Sequence, residues 1–195
     1  MELVLIRHGR PRRVEGTDGP ADPGLSPLGR RQAEALAAWL APEGADAVYT
    51  SPLRRATETA GPLAEALGLD AVAEPALAEY DANATAYIPL EELRAAGDPR
   101  WKEVPEDIAG FSATVLEGVG RLAAAHRSQR IALVCHGGVI NVVVAAVLGV
   151  APRMIFLPAY TSVSRVLVAS TGERSVGSLN ETGHLWAADI PLVEL

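Results

Sequence analysis

The chain has 195 residues, 49% apolar and 21% charged, which at roughly 150 residues per domain predicts one domain over 1–195 and excludes disordered, collagen-like and disulfide-stapled chains. A formal net charge of −7 disfavours nucleic acid and anionic lipid as partners, so any anion must be held by a local cationic pocket. One cysteine, Cys135, leaves no intramolecular disulfide, and the longest apolar run, Val142 to Leu148, is far short of the about 18 residues that cross a bilayer; a soluble, cytoplasmic protein without a membrane partner is expected.

The first expected strand is Glu2 to Arg7, followed by a charged, Gly/Pro-rich loop to Leu25 that lacks apolar periodicity and is long enough to suspect function. Ser26-Pro27 has the form of an N-cap and first helical residue, and Ala33, Leu36, Ala37 and Leu40 recur at helical spacing, predicting a helix from Pro27 to Leu40. A short strand is expected at Ala47 to Tyr49. Ser51-Pro52 repeats the cap signal, and Leu53, Ala56, Ala60, Leu63, Ala64 and Leu67 trace a second helix that Gly68 stops. Residues 81 to 106 are mixed and Pro-interrupted, the expected place of an insertion or cap-like segment. Ile108, Phe111, Val115, Val119 and Leu122 then mark a third long helix.

Ile131 to Cys135 is a continuous apolar run, expected as a strand buried on both faces, and Gly137-Gly138 opens a helix that ends at Gly149. Ser164 to Ala169 and Ser175 to Leu179 flank Thr171-Gly172-Glu173 as a hairpin. Alternating strands and helices predict an α/β fold: a three-layer sandwich with a mostly parallel central sheet, helices on both faces and late antiparallel edges.

In three places a short apolar strand ends and polar, cationic residues follow at once: Arg7-His8-Gly9, Ser51 to Arg55, and His136-Gly137-Gly138. The carboxyl ends of parallel strands share one edge of the sheet, so these segments are expected to converge there. Arginines, histidines and the backbone N–H groups of helix N-termini after residues 51 and 137 suit a phosphate dianion. Taken singly, the segments read better as a strand-end turn, a solvated helix face and a hydrogen-bonded core histidine; one anion explains all three together.

Several dispersed pieces resemble the histidine phosphatase superfamily, also called phosphoglycerate mutase-like, in its order. They are Leu-Ile-Arg-His-Gly at 5–9, Leu-Ser-Pro-Leu-Gly-Arg-Arg-Gln-Ala at 25–33, and Ser-Pro-Leu-Arg-Arg-Ala-Thr-Glu-Thr-Ala at 51–60. Leu77-Ala78-Glu79, Cys-His-Gly-Gly-Val-Ile at 135–140 and Asn-Glu-Thr-Gly-His-Leu at 180–185 continue the match. The resemblance implies that His8 is the nucleophile, that Arg7, Arg55 and the His136-Gly137 turn bind the phosphoryl oxygens, that His136 also assists catalysis, and that Glu79 donates the proton. It implies a metal-independent phosphomonoesterase acting on a small phosphorylated metabolite through a phosphohistidine, with no cofactor. A carboxyl group beside a phosphate dianion is raised in pKa by like charge, which suits the donor role. The chain departs from the family after Gly9, where Arg10-Pro11-Arg12-Arg13-Val14 follows, and after Glu79, where Tyr80-Asp81-Ala82-Asn83-Ala84 stands. Arg10, Arg12 and Arg13 are candidates for reading a second anionic group, against a solvated charged loop. Arg54 is expected at the surface or behind the site; His126 and His184 are expected to be structural.

Other chemistries fit poorly. A cysteine phosphatase needs C-x-x-x-x-x-R, and that count from Cys135 reaches Asn141. Four histidines scattered singly offer no metal cluster, and no metal is expected. Of the basic residues sixteen are arginine and one, Lys102, is lysine, and there is no G-x-x-x-x-G-K-[ST], so P-loop and pyridoxal chemistry fall away. The remaining alternatives are mutase-type phosphoryl transfer, which the family performs with longer chains, and a phospholigand-binding module without turnover.

Overall fold

The computed structural model describes residues 1–99 and 106–193. Lys102 and the stretch 100–105 of the expected insertion lie outside the described residues. The apolar runs become strands β1 (Glu2–Arg7) and β4 (Arg130–Cys135), each buried from its second residue to its last. Strands without polar alternation need cover on both faces, and these two pair in parallel at the middle of the sheet. With β2 (Ala47–Thr50), β3 (Ala71–Ala73), β5 (Val163–Val168) and β6 (Arg174–Glu181) they form a six-stranded sheet in the order β3-β2-β4-β1-β5-β6. β3, β2, β4 and β1 run parallel; β5 is antiparallel to β1, and β6 to β5.

Successive residues of the central strands feed opposite cores. Leu3, Leu5, Ile131 and Leu133 join one core with Val115 and Val119 of α4 (Ile108–Ala125) and Ile140 and Val143 of α5 (Gly137–Leu148). Val4, Ile6, Ala132 and Val134 join the other with Leu36 and Leu40 of α1 (Pro27–Leu40) and Ala60 and Leu63 of α2 (Arg54–Leu67). The molecule is therefore the expected three-layer α/β sandwich. Two short helices complete it, α3 (Leu90–Ala95) within the 81–99 segment and α6 (Gly183–Ala187) near the end. By length and mean hydropathy α4 is the one helix among the described residues able to cross a membrane, yet its Val115, Val119 and Leu122 pack on the sheet.

Local signals account for most boundaries. Ser26 caps α1, its Oγ accepting from the Gly29 N–H at 3.0 Å, and Pro27 follows at the first helical position. Gly68 and Gly149 end α2 and α5 in the left-handed conformation. The expected Ser51 cap is corrected: α2 begins at Arg54, its cap position Leu53 makes no side-chain bond, and Asp22 Oδ1 instead accepts from the Arg54 N–H at 2.8 Å. β3, three exposed residues, carries no apolar run that could have announced it.

What positions the site is the level end of the parallel strands. Arg7 stands opposite Cys135 and Thr50 opposite Val134, so the residues after β1, β2 and β4 emerge along one edge.

Candidate active site

Arg7 ends β1 and His8 follows it, Ser51 follows β2, Arg55 lies in the first turn of α2, and His136 caps α5. Glu79 comes from the loop behind a single 3₁₀ turn at Pro75–Leu77. Arg7, His8, Arg55, Glu79 and His136 line one cavity of about 250 Å³, and all five are buried. Two backbones meet behind it. The Gly9 N–H donates to Thr59 Oγ1 at 2.9 Å, and a methyl group on Gly9 would lie 2.6 Å from the Gly29 carbonyl oxygen. Only the absence of a side chain lets the loop after β1 press against the start of α1 and fix the turn that carries His8.

His8 Nδ1 donates to the Gly9 carbonyl oxygen at 2.8 Å. A carbonyl only accepts, so the proton of the neutral ring is on Nδ1 and Nε2 keeps its lone pair. Burial, with Arg55 and Arg7 adding positive charge, holds His8 well below the ordinary histidine range. His136, its ring centroid 5.0 Å from that of His8, is lowered in the same way by burial and Arg55. Its Nε2 is hydrogen-bonded to Ser51 Oγ at 2.7 Å.

Both guanidinium groups are held from behind. Arg7 Nη1 donates to the Pro158 carbonyl oxygen at 2.6 Å and its guanidinium lies 4.0 Å from the centre of the Tyr160 ring. Arg55 Nη2 pairs with Asp81 Oδ1 at 2.8 Å, with the Tyr87 ring 4.7 Å away. Arg7 Nε, Arg55 Nε and His136 Nδ1 are buried and have no hydrogen-bond partner among the described residues. Three such nitrogens in one small cluster are costly unless an anion meets them.

Glu79 brings a carboxyl group to the cavity. Its Oε2 accepts from the Gly138 N–H at 2.8 Å and its Oε1 from the Tyr80 N–H at 3.2 Å. Burial, reinforced by the Asp81 carboxylate, pushes its pKa up to about 7, against the pull of those N–H groups and Arg55. Near neutrality this carboxyl group both gives and takes a proton. A methyl group on Gly138 would sit 2.2 Å from Glu79 Oε1, so the approach requires glycine there.

This constellation has relatives. The profile of the histidine phosphatase superfamily (branch 1) matches residues 3–182. The chain belongs to that superfamily. Phosphoserine phosphatase 1 of Hydrogenobacter thermophilus is 30% identical over 163 residues, 77% of each chain. The glucosyl-3-phosphoglycerate phosphatase of Mycolicibacterium vanbaalenii is 31% identical over 166 residues, 75% of this chain and 74% of that one. A bifunctional protein of Mycobacterium tuberculosis is 32% identical over 94% of this chain, which spans 54% of its length. Among solved structures, a mycobacterial glucosyl-3-phosphoglycerate phosphatase superposes with a TM-score of 0.74 at 24% identity, covering 93% of this chain and 99% of that one.

In this histidine phosphatase the other sequence candidates fall as follows. Gly137 lines the cavity at the start of α5 beside His136. Arg10 does not line it: its Nε and Nη2 pair with Glu91 and Glu92 of α3 at 3.1 and 2.9 Å, and Arg13 pairs with Glu92 and Glu15. Arg54 is an exposed partner of Glu58, at 2.7 Å. His126 bridges Tyr49 and Gln129, and His184 meets Thr161 Oγ1 at 3.0 Å against Trp39. Neither lines the cavity. Cys135 is fully buried, its thiol pushed far up by burial.

Sequence reasoning missed the groups behind the site. Asp81, Tyr87 and Tyr160 hold the two arginines, yet Tyr160 is separated from Arg7 by most of the chain and nothing near it marks its role. Ser51 was legible as a polar strand end, but its partner His136 lies across β2 and β4.

Proposed function

We propose that this histidine phosphatase hydrolyses a small phosphomonoester through a phosphohistidine on His8, without a metal ion. The observation that carries the proposal is the fixed tautomer of His8, with Nδ1–H on the Gly9 carbonyl and an unprotonated Nε2 lone pair beside the two arginines. Nε2 attacks phosphorus in line with the leaving oxygen, and the P–O bond to that oxygen breaks. The partnerless nitrogens of Arg7, Arg55 and His136 meet the three equatorial oxygens as charge spreads over them. Donation from the Ser51 hydroxyl to His136 Nε2 leaves the proton of that neutral ring on Nδ1, as this role needs.

Glu79, protonated up to about pH 7, gives its proton to the leaving alkoxide. Its carboxylate then takes a proton from water, whose oxygen attacks phosphorus as the N–P bond breaks. Inorganic phosphate leaves, and His8 and Glu79 return to their starting forms. Two guanidinium groups at the phosphoryl position repel a divalent cation and supply the charge it would bring. The segment 81–99 walls the cavity and serves as its cap, with Asp81 and Tyr87 holding Arg55. The small phosphorylated substrates in the names of the relatives, phosphoserine and glucosyl-3-phosphoglycerate, support a small phosphomonoester here.

The test is phosphate release from 4-nitrophenyl phosphate in excess EDTA, for the wild type and His8→Ala. Turnover that survives EDTA and falls by at least about a thousandfold in His8→Ala is expected. Turnover abolished by EDTA, or retained by the variant, refutes the mechanism.

A further inference from the structure

Besides the phosphoryl cluster with Tyr80, Asp81 and Tyr87, the cavity is lined by two apolar groups, Ala86, Ile88, Leu90 and Leu93, and Met154 and Leu157. The first group comes from the 81–99 segment and α3, the second from the loop between α5 and β5. Met154 reaches the cluster itself, its Cε 4.0 Å from where a methyl on Gly137 would be. Met154 and Leu157 are 47% and 41% exposed, and Tyr80 on the same cavity is 46% exposed. Exposed apolar side chains that line a cavity are a surface that a bound ligand covers.

Two of the arginines after Gly9 are engaged elsewhere. Arg10 and Arg13 are engaged by Glu91, Glu92 and Glu15. Arg7 and Arg55 are the two cationic lining residues among the described residues, and Arg55 already shares its charge with Asp81. Among the described lining residues a second negative group on the substrate would find no further cation, and would face hydrocarbon or the carboxyl groups of Glu79 and Asp81. Desolvating a carboxylate there without a partner is unfavourable.

We propose that the leaving group is uncharged and apolar, so that the natural substrate class is an alkyl or aryl phosphate rather than a phosphorylated acid. The proposal rests on the phosphatase reading above and assigns its substrate. Each methylene that passes from water onto the apolar wall raises kcat/KM by up to about fourfold, whereas a carboxylate at the same place gains no cation.

Two esters with the same reacting end decide it: hexyl phosphate, and the same six-carbon chain ending in a carboxylate. The wild type is expected to favour hexyl phosphate in kcat/KM by at least about tenfold, chiefly through KM. Met154→Arg and Leu157→Arg, both at exposed positions, place a cation on the wall and are each expected to cut that ratio to below about threefold. Equal or better turnover of the carboxylate ester by the wild type overturns the substrate assignment and leaves the phosphatase intact. An unchanged ratio in both variants also overturns it, because the wall would then not be where the chain lies. Hydrolysis of neither ester, with 4-nitrophenyl phosphate still turned over, overturns the assignment and leaves the phosphatase intact.

Discussion

Gly138→Ala separates the acid from the rest of the machinery. The added methyl would stand 2.2 Å from Glu79 Oε1, and the atom that must move is the far end of a flexible side chain rather than backbone. The Glu79 carboxyl is therefore displaced while the helix keeps its path. In stability, alanine in place of glycine within α5 gains up to about 1 kcal/mol, and loss of the 2.8 Å bond from the Gly138 N–H to Glu79 costs about as much. The melting temperature is expected to shift by no more than about 4 °C. Catalysis should respond according to the leaving group. An alkoxide needs its proton in the transition state, so kcat/KM on an alkyl phosphate is expected to fall by about a hundredfold or more. The 4-nitrophenolate ion leaves without help, and kcat/KM on its ester, which does not include the later water step shared by both esters, should fall by less than about tenfold. Paired steady-state assays on the two esters, with a thermal melt of the variant, read the difference. Equal losses on both esters, or none on the alkyl ester, would show that Glu79 is not the proton donor.

The kcat/KM profile should be bell-shaped, falling above about pH 7 as Glu79 loses its proton and falling on the acid side only well below 6.5, where His8 gains one. Asp81→Asn removes a charge that raises Glu79, so the basic limb should move to lower pH; a limb that stays in place would separate it from Glu79. Folded Glu79 holds its proton up to about pH 7, against the ordinary value of 4.5, so the native state binds that proton more tightly than the unfolded chain. Wild-type stability should accordingly fall relative to Glu79→Gln as pH rises from 4.5 through 7, measured by urea titration; a constant difference would contradict the buried carboxyl. Gly29→Ala would put a methyl 2.1 Å from the Arg10 carbonyl oxygen, which is backbone, and is expected to cost at least about 2 kcal/mol. Unchanged stability there would mean that the Gly9 to Gly29 contact is looser than described.

The two arginines and the two histidines were legible because each lies at a strand end or in a motif with its own local signature. Arg7-His8 closes an apolar run, His136 precedes a glycine pair, and parallel pairing then brings them level at one edge. Glu79 has no periodic signal and was placed by resemblance alone. The supports of these groups were not legible, because they come from segments with no fixed spacing to their partners. Tyr160 stacks on Arg7 from the loop before β5, and Asp81 reaches Arg55 from beyond α2. The arginines after Gly9 show the converse limit. Three charges in a loop suggested an anion, but Glu91 and Glu92, on a helix too short to carry a clear period, meet Arg10 and Arg13 instead.

The central claim is that the phosphoryl group passes through His8. Rapid quenching of turnover on an alkyl phosphate at alkaline pH, followed by mass spectrometry of the peptide containing residues 7–9, tests it most directly. An acid-labile, base-stable phosphoryl group on His8, absent from His8→Ala, is expected, with more of it in Glu79→Gln if that variant slows the water step more than the transfer. Full turnover with no phosphoryl group on His8 in any sample, or a label that persists in His8→Ala, would contradict it.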